Sequence, residues 1–464
     1  MKKKTGRFML FRFVLFRFVV FLPLLLASGG CKNRTSVPEA PPSAARPSRA
    51  KYTEDGRRII TLGTWYDRYY MSRHQKIEDD PKMAFPVTAQ LRLEKIRYIE
   101  EKYNVVFNSV NLTFDGVQES IETSIPGGNP DVDIYEVDLQ FGIPAVLNNY
   151  AVSLEEMGLE GTDVLADQRI MKHLALTGQR EKFLFTPSVS GGTSAYVLAF
   201  NMDMIRAAGL PNPQDLWDRG EWTWDRWREY LKVLTRHSND ERPGIYGFSG
   251  YWTDLLTNLL FSNDAGIARG AREELSDPKT LEVLTFIYDI YNTDKSARPW
   301  DPSNWEINNR LYAEGLSGFW IGADWIFDEQ GGKDLPFEIG VAPWPVGPRG
   351  NRETNRQSRP QNNWYFIPRG VETPRLVYDI FFDWVNWFDG DTELFEEHWS
   401  RNQYMNDRNY AYAVMMASKP GFDMWDSLGT GFNLLPLITG KALPEEMVKE
   451  YASQYQAALD TFFK

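Results

Sequence analysis

From residue 57 onward the apolar positions of the chain keep changing rhythm. In RRIITLGTWYD, Ile59, Ile60 and Leu62 form a short run that stops at Gly63 and gives way to two aromatics and an acid. That pattern predicts a buried strand whose carboxyl end carries Trp65, Tyr66 and Asp67. In LRLEKIRYIEEKYN, Leu93, Ile96, Ile99 and Tyr103 recur instead near the period of a helix. VVFNSVNL is a strand run again. VQESIETSIPGGNPDVDIYEVD then reads as a helix, a Pro-Gly-Gly break and a strand over residues 132–137 that opens into Asp138. Strand and helix patterns in alternation predict a parallel sheet covered by helices.

The alternation continues to the end. EKFLFTPSVSGGTSAYVLAFNMDMIRAAGL holds a loop of small residues, 188–194, between two apolar strands. EWTWDRWREYLKVLT predicts a helix capped by Thr223 with Asp225 in its first turn. Its Trp224, Trp227, Leu231 and Leu234 fall on one stripe, which makes them a packing face and not a site; FFDWVNWF reads the same way. SDPKTLEVLTFIYDIY opens a helix with Asp277 before Pro278 and sets Leu281, Leu284, Tyr288 and Tyr291 on one face. A last helix starts at Pro444 with Met447, Tyr451, Tyr455 and Leu459 facing one way.

The first 31 residues follow neither rhythm. Lys2, Lys3, Lys4, Arg7, Arg12 and Arg17 precede an apolar run, 18–27, and the small residues Ser28, Gly29 and Gly30. This is the layout of a secretory signal, too short after Arg17 to span a bilayer stably. The only cysteine, Cys31, comes next, in the position of a bacterial lipobox, which this segment resembles except at Ser28, where leucine is usual. The resemblance implies acylation of Cys31 and a durable lipid anchor; an ordinary secretory peptide is the alternative. Residues 32–56, rich in Pro, Ser and Ala, read as a disordered tether.

Composition narrows the function. About 410 residues remain after the tether, which suits two lobes better than one core. The chain has 51 basic and 63 acidic residues; without the leader's six basic residues, 45 stand against 63, a net charge of about −18. That surface repels nucleic acid and anionic lipid. Four scattered histidines and one cysteine offer no metal-ligand spacing, and no cofactor is expected. GxxxxGK[ST], GxSxG and HExxH are all missing. Aromatics reach 14% of residues, 16 of them Trp.

The order of segments resembles family 1 extracellular solute-binding proteins of bacterial ABC transporters, the maltose-binding class. EKYNVVFNSV, SIPGGNPDVDIYEVD, NNYAVSLEEM, FLFTPSVSGGTSAYVLAFNMDMIRAAGLPNPQDLWDRGEWTWDRWREYLKVLT, LYAEGLSGFWIGADW and LLPLITGKALPEEMVKEYASQYQAAL carry it, across nearly all of 57–464. The resemblance implies an α/β, two-lobed periplasmic-binding-protein type II fold, each lobe a mixed, mainly parallel sheet flanked by helices, joined by hinge crossovers. The crossovers map to 188–194, to Gln361 and to about residue 410. Lobe one is then 57–190 with 362–410, and lobe two 191–361 with 411–464. A monomer anchored outside the cytoplasm would close on its ligand and dock on an ABC permease.

Aromatic planes and acidic edges suit a carbohydrate, whose apolar CH faces stack and whose hydroxyls bond. Trp65, Tyr66 and Asp67 are expected at the cleft by strand-end position, with one of the two rings facing inward. Trp252 and Asp254 in GYWTD repeat the pairing of ring and acid, with a surface-loop role as rival. Asp138 and Trp364 sit at probable strand ends, with a helix cap and a strand core as their other roles. The resemblance adds Asp324 and Trp325 of GADW, Ser190 in the first crossover loop, and Trp425 of DMWDS; core burial is the rival for Trp325. An exported glycoside-active enzyme, or a module presenting ligand to a sensor kinase or chemoreceptor, are the alternative functions.

Overall fold

The computed structural model describes residues 50–67, 86–159, 171–175, 182–187, 196–238, 243–300, 307–322, 327, 335–358, 364–391, 393–394 and 404–463. The leader with Cys31, and the loop 188–194 and Gln361 at the first two expected crossovers, lie outside these residues. Residues 50–56, assigned to the tether from their composition, are bonded to the folded body. Tyr52 donates its hydroxyl to Glu372 at 3.0 Å, and the Ile59 amide bonds the Lys51 carbonyl at 2.8 Å.

The first half of the chain builds β1 (Arg58–Thr64), α1 (Pro86–Tyr103), β2 (Val105–Asn111), α2 (Phe114–Ser124), β3 (Ile134–Val137), α3 (Leu139–Leu147), β4 (Met171–Ala175) and β5 (Lys182–Pro187). Then come β6 (Val197–Asn201), α4 (Met202–Ala207), α5 (Pro213–Arg219), α6 (Trp224–Leu234), β7 (Tyr246–Ser249), α7 (Trp252–Ser262) and α8 (Pro278–Tyr288), which runs into a π-helical turn, Asp289–Thr293. They are followed by α9 (Ile307–Ala313), β8 (Ser317–Gly322), β9 (Ile339–Ala342), β10 (Gln357–Ser358), β11 (Trp364–Phe366), α10 (Pro374–Val385), α11 (Asp407–Ala417), β12 (Pro420–Gly421), α12 (Leu435–Ile438) and α13 (Pro444–Phe462).

Two main sheets result, ordered β2-β1-β3-β11-β5-β4 and β7-β8-β6-β9, with β10 and β12 forming a small parallel pair. β1 runs parallel to β2 and β3, and β7 parallel to β8, as the alternating pattern predicts. The remaining pairings of the two main sheets, made by β4, β5, β6, β9 and β11, are antiparallel, so the sheets are mixed without being mainly parallel. The reason is topological: β11 and β4 in the first sheet and β6 in the second run against the βαβ direction of their neighbours, and each such reversed strand makes every pairing it enters antiparallel.

Most predicted helix stripes are packing faces, but on α8 the buried side is formed by Thr280, Val283, Leu284, Phe286 and Ile287, with Leu281 and Tyr288 half-buried at its margin. Leu93, Ile96 and Ile99 of α1 are buried, and Ile96 and Ile99, with Phe381 of α10, pack on the first sheet. Trp224, Trp227, Leu231 and Leu234 of α6 are all buried, and Trp227 packs edge-on to Phe248 of β7. Thr223 caps α6 by accepting the Arg226 amide, and Asp277 caps α8 by accepting the Lys279 amide. α11 lies on the second sheet: buried Asn409 accepts the Val341 amide at 2.9 Å and donates to the Ile339 carbonyl at 3.0 Å. Asn409 is therefore bonded into the second lobe, one residue short of the crossover expected at about 410.

Candidate functional site

β1, β2 and β3 lie side by side and parallel, so their carboxyl ends share one edge of the first sheet. At such edges ligands meet α/β proteins. Gly63 brings β1 close to its neighbours there, since a Cβ would lie 2.9 Å from the Leu112 side chain. After β1 comes half-buried Trp65; after β2, Phe114 opens α2; after β3, Asp138 caps α3, accepting the Gln140 amide at 3.0 Å. Phe141 lies in the first turn of α3. Its ring is 4.9 Å from Phe114, whose own ring stands edge-on to Trp65 at 5.9 Å.

Alternation along the chain separates Trp65 from Tyr66. Tyr66 turns into the lobe and donates its hydroxyl to the buried Glu136 at 3.2 Å, beside a second donor, Tyr365, at 3.0 Å. Tyr66 therefore braces the wall, while Trp65 forms part of its surface. Asp67 is exposed and accepts from the Asn111 amide at 3.4 Å.

The second lobe supplies another wall from the start of α7 and the loop after β12. Half-buried Trp252 is the first residue of α7, and Asp254 lies in its first turn. The loop is pinned by buried Asp423, which accepts the amides of Ile267 at 2.7 Å, Ala268 at 2.9 Å and Trp425 at 3.0 Å. That anchor fixes Trp425 behind Trp252, with ring centroids 6.1 Å apart, and leaves Asp426 half-buried beside them.

Electrostatics ties the walls together. Asp254 is pushed up to about 7, chiefly by burial and then by the negative charge of Asp138. Asp426 is raised well above the usual carboxylate range by the same two causes in the same order. Asp138 is raised by burial, against the opposing Gln140 amide. One carboxylate from the first lobe thus lies within the field of two from the second. Such an arrangement accepts hydrogen bonds from hydroxyl or amino groups held between the lobes, with rings on both sides to receive an apolar face. Among the described residues no group of His, Cys, Asp and Glu could hold a metal ion.

Of the residues picked from sequence, Asp254 lies within the field of Asp138, Trp252 opens the helix that carries Asp254, and Trp65 stands at the strand ends of the first sheet. Trp364 does not present its ring: it pairs with Val137 inside the first sheet and is 1% exposed, so the strand-core role holds. Trp425 is 3% exposed, and its indole NH is used by Thr257 at 3.1 Å, so it backs Trp252 and offers no free face. Ser190, Asp324 and Trp325 lie outside the described residues. Sequence reading passed over Asp426 and Phe114, although DMWDS and LTFDG carry the same pairing of aromatic and acid that singled out Trp65 and Trp252.

Residues 94–388, more than half of the chain, match the family model of the bacterial extracellular solute-binding proteins. No curated protein matches the sequence. Among solved structures, the chain is similar to an ABC substrate-binding protein of Listeria monocytogenes in complex with cycloalternan. The TM-score is 0.61 at 13% identity, over 88% of this chain and 99% of that one. A solute-binding protein of Thermotoga lettingae bound with alpha-D-tagatose gives 0.60 at 16% identity, over 86% and 99%. UgpB of Mycobacterium tuberculosis in complex with glycerophosphocholine gives 0.59 at 15%, over 88% and 100%. At these identities the likeness is one of fold, a two-lobed α/β architecture. With the family match, it makes the chain a member of the bacterial extracellular solute-binding proteins, the substrate-capturing components of ABC transporters.

Proposed function

We propose that this protein captures a sugar or oligosaccharide between its lobes and delivers it to an ABC permease, held at the outer face of the membrane by acylated Cys31. The observation that carries the ligand class is the pairing of ring and acid on each wall: Trp65, Phe114 and Phe141 with Asp138 at the cap of α3, and Trp252, backed by Trp425, with Asp254 in the first turn of α7. Rings take the CH face of a pyranose and carboxylates take its hydroxyls. A few such stacks and charged hydrogen bonds, at about 1–3 kcal/mol each, reach the roughly 8 kcal/mol of a micromolar binder after the costs of closure. The solved relatives that carry cycloalternan and tagatose support the sugar class, and the one with glycerophosphocholine marks how far ligands range on this fold.

We place lobe one at 57–190 together with residues from 362, and the return to lobe two before residue 404. The Tyr404 carbonyl accepts from Asn409 at 3.0 Å, and the Tyr404 ring packs on Phe327 at 5.8 Å, both beside the second sheet.

One observation favours a second reading. Paired acids with displaced titration in an aromatic cleft are also what a glycoside hydrolase uses. A thermal-shift screen with linear and cyclic oligosaccharides, followed by mass spectrometry of the recovered sugar, separates the two. The binding role predicts a raised Tm for one or a few members and intact sugar. Cleaved sugar would replace it with the hydrolase, and stabilisation by peptides or metal ions alone would remove the carbohydrate.

A further inference from the structure

We infer that Phe114 is a ligand-stacking residue of this cleft: the exposed ring of a platform, Trp65, Phe114 and Phe141, that receives the apolar face of a sugar ring on the first-lobe wall. The inference rests on the carbohydrate reading and names the residue that would give the first lobe its grip.

Phe114 is 40% exposed, one of a few large apolar side chains left in the open among the described residues. An exposed phenyl ring in isolation would need no explanation. This one is not isolated. It joins Trp65 edge-on and Phe141 at a tilt of 56°, so three rings, one after each of three adjacent parallel strands, form a continuous cluster at the strand ends, with Phe141 buried behind and Phe114 outermost. Asp138 is three residues before Phe141, at the cap of the same helix, and puts a carboxylate beside the rings. One open phenyl face, held in place by two rings behind and beside it and with an acceptor at the cap of the next helix, matches a pyranose, which offers CH groups on its face and hydroxyls at its edge.

The backbone supplies an independent observation. Thr113, immediately before Phe114, has φ 66° and ψ 164°, a region that residues with a Cβ rarely occupy. Three hydrogen bonds hold it there. Its amide donates to the Asn111 side chain at 2.9 Å, its hydroxyl accepts the Gly116 amide at 3.3 Å, and its carbonyl accepts the Val117 amide at 3.0 Å. A Cβ at residue 116 would come within 2.9 Å of the Thr113 hydroxyl, so glycine keeps that contact open. This strained turn sets where α2 begins and hence where the Phe114 ring stands. Strain of this kind persists where surrounding bonds over-determine it, and it collects at ligand sites.

The test uses the full chain and isothermal titration with maltotetraose, cellotetraose and chitotetraose. Phe114→Ala is expected to weaken the tetrasaccharide that binds the unaltered protein by about tenfold or more. Phe114→Tyr should restore binding to within about threefold, because a ring is kept. The ligand-free Tm of both variants should stay close to that of the parent, as the side chain is exposed. Unchanged affinity in Phe114→Ala would overturn the role of Phe114 and leave the carbohydrate reading standing. If none of the three sugars binds the unaltered protein, the platform falls together with that reading.

Discussion

The two walls of the cleft are built by opposite means. On the first lobe the rings Trp65, Phe114 and Phe141 stand at the ends of parallel strands, pack edge to face and at a tilt, and leave Phe114 the most exposed, while Tyr66 braces the wall from within through Glu136. On the second lobe a half-buried Trp252 is backed by Trp425, which is itself enclosed by Thr257, Phe432 and Tyr455. One wall presents ring surface and the other presents a supported indole with two carboxylates. An aromatic in a cleft is thus either a contact or a buttress, and only its surroundings separate the two.

The comparison breaks most sharply at Trp425. Replacing this enclosed indole with alanine removes packing on several sides, and Trp425→Ala is expected to cost about 3–5 kcal/mol of stability, read as a lower Tm without ligand. Loss of affinity at unchanged Tm would instead make Trp425 a direct contact. Trp252→Ala should show the reverse pattern, with binding of a recognised oligosaccharide weakened by about 1–3 kcal/mol and only a small change in Tm. Titration calorimetry and unfolding of the same preparation would place each residue on its side of the division.

The smallest effect concerns charge. Asp254 titrates near 7 in the folded protein and near 4 when unfolded, so the native state holds more protons between those values. Stability of the ligand-free protein should therefore decline as pH rises from about 4 to about 7 and level off above it. Asp254→Asn should flatten that decline by about 1 kcal/mol, a modest amount because water reaches the half-buried group. A ligand-free Tm that rises with pH across this window in the parent would show that the carboxylates do not crowd one another.

Much of the fold was legible along the chain. Leu93, Ile96 and Ile99, and Trp224, Trp227, Leu231 and Leu234, gave their helices away because one face of a helix must be apolar to pack. Thr223 and Asp277 marked helix starts because an orphan amide needs an acceptor. The site was legible in half. Asp138, Trp252 and Asp254 do lie at a strand end and a helix start, where their spacing in the sequence put them. Trp364 and Trp425 were misplaced because an indole has the same signature in a core as in a cleft. Phe114 and Asp426 escaped because their importance lies in their neighbours, Trp65 and Phe141 for one and Asp138 for the other, which are distant in sequence.

By itself, then, the sequence settled what local interactions control: the order of strands and helices, their caps and their buried faces, each set by periodicity and by backbone groups needing partners within a few residues. The tertiary structure decided which rings keep an open face, which acids feel one another across the lobes, and how many strands run antiparallel. Those outcomes depend on interactions between segments up to hundreds of residues apart, such as the charge of Asp138 acting on Asp426 or the hydroxyls of Tyr66 and Tyr365 meeting at Glu136. Burial and charge coupling are properties of the assembled neighbourhood, and no window along the chain contains it.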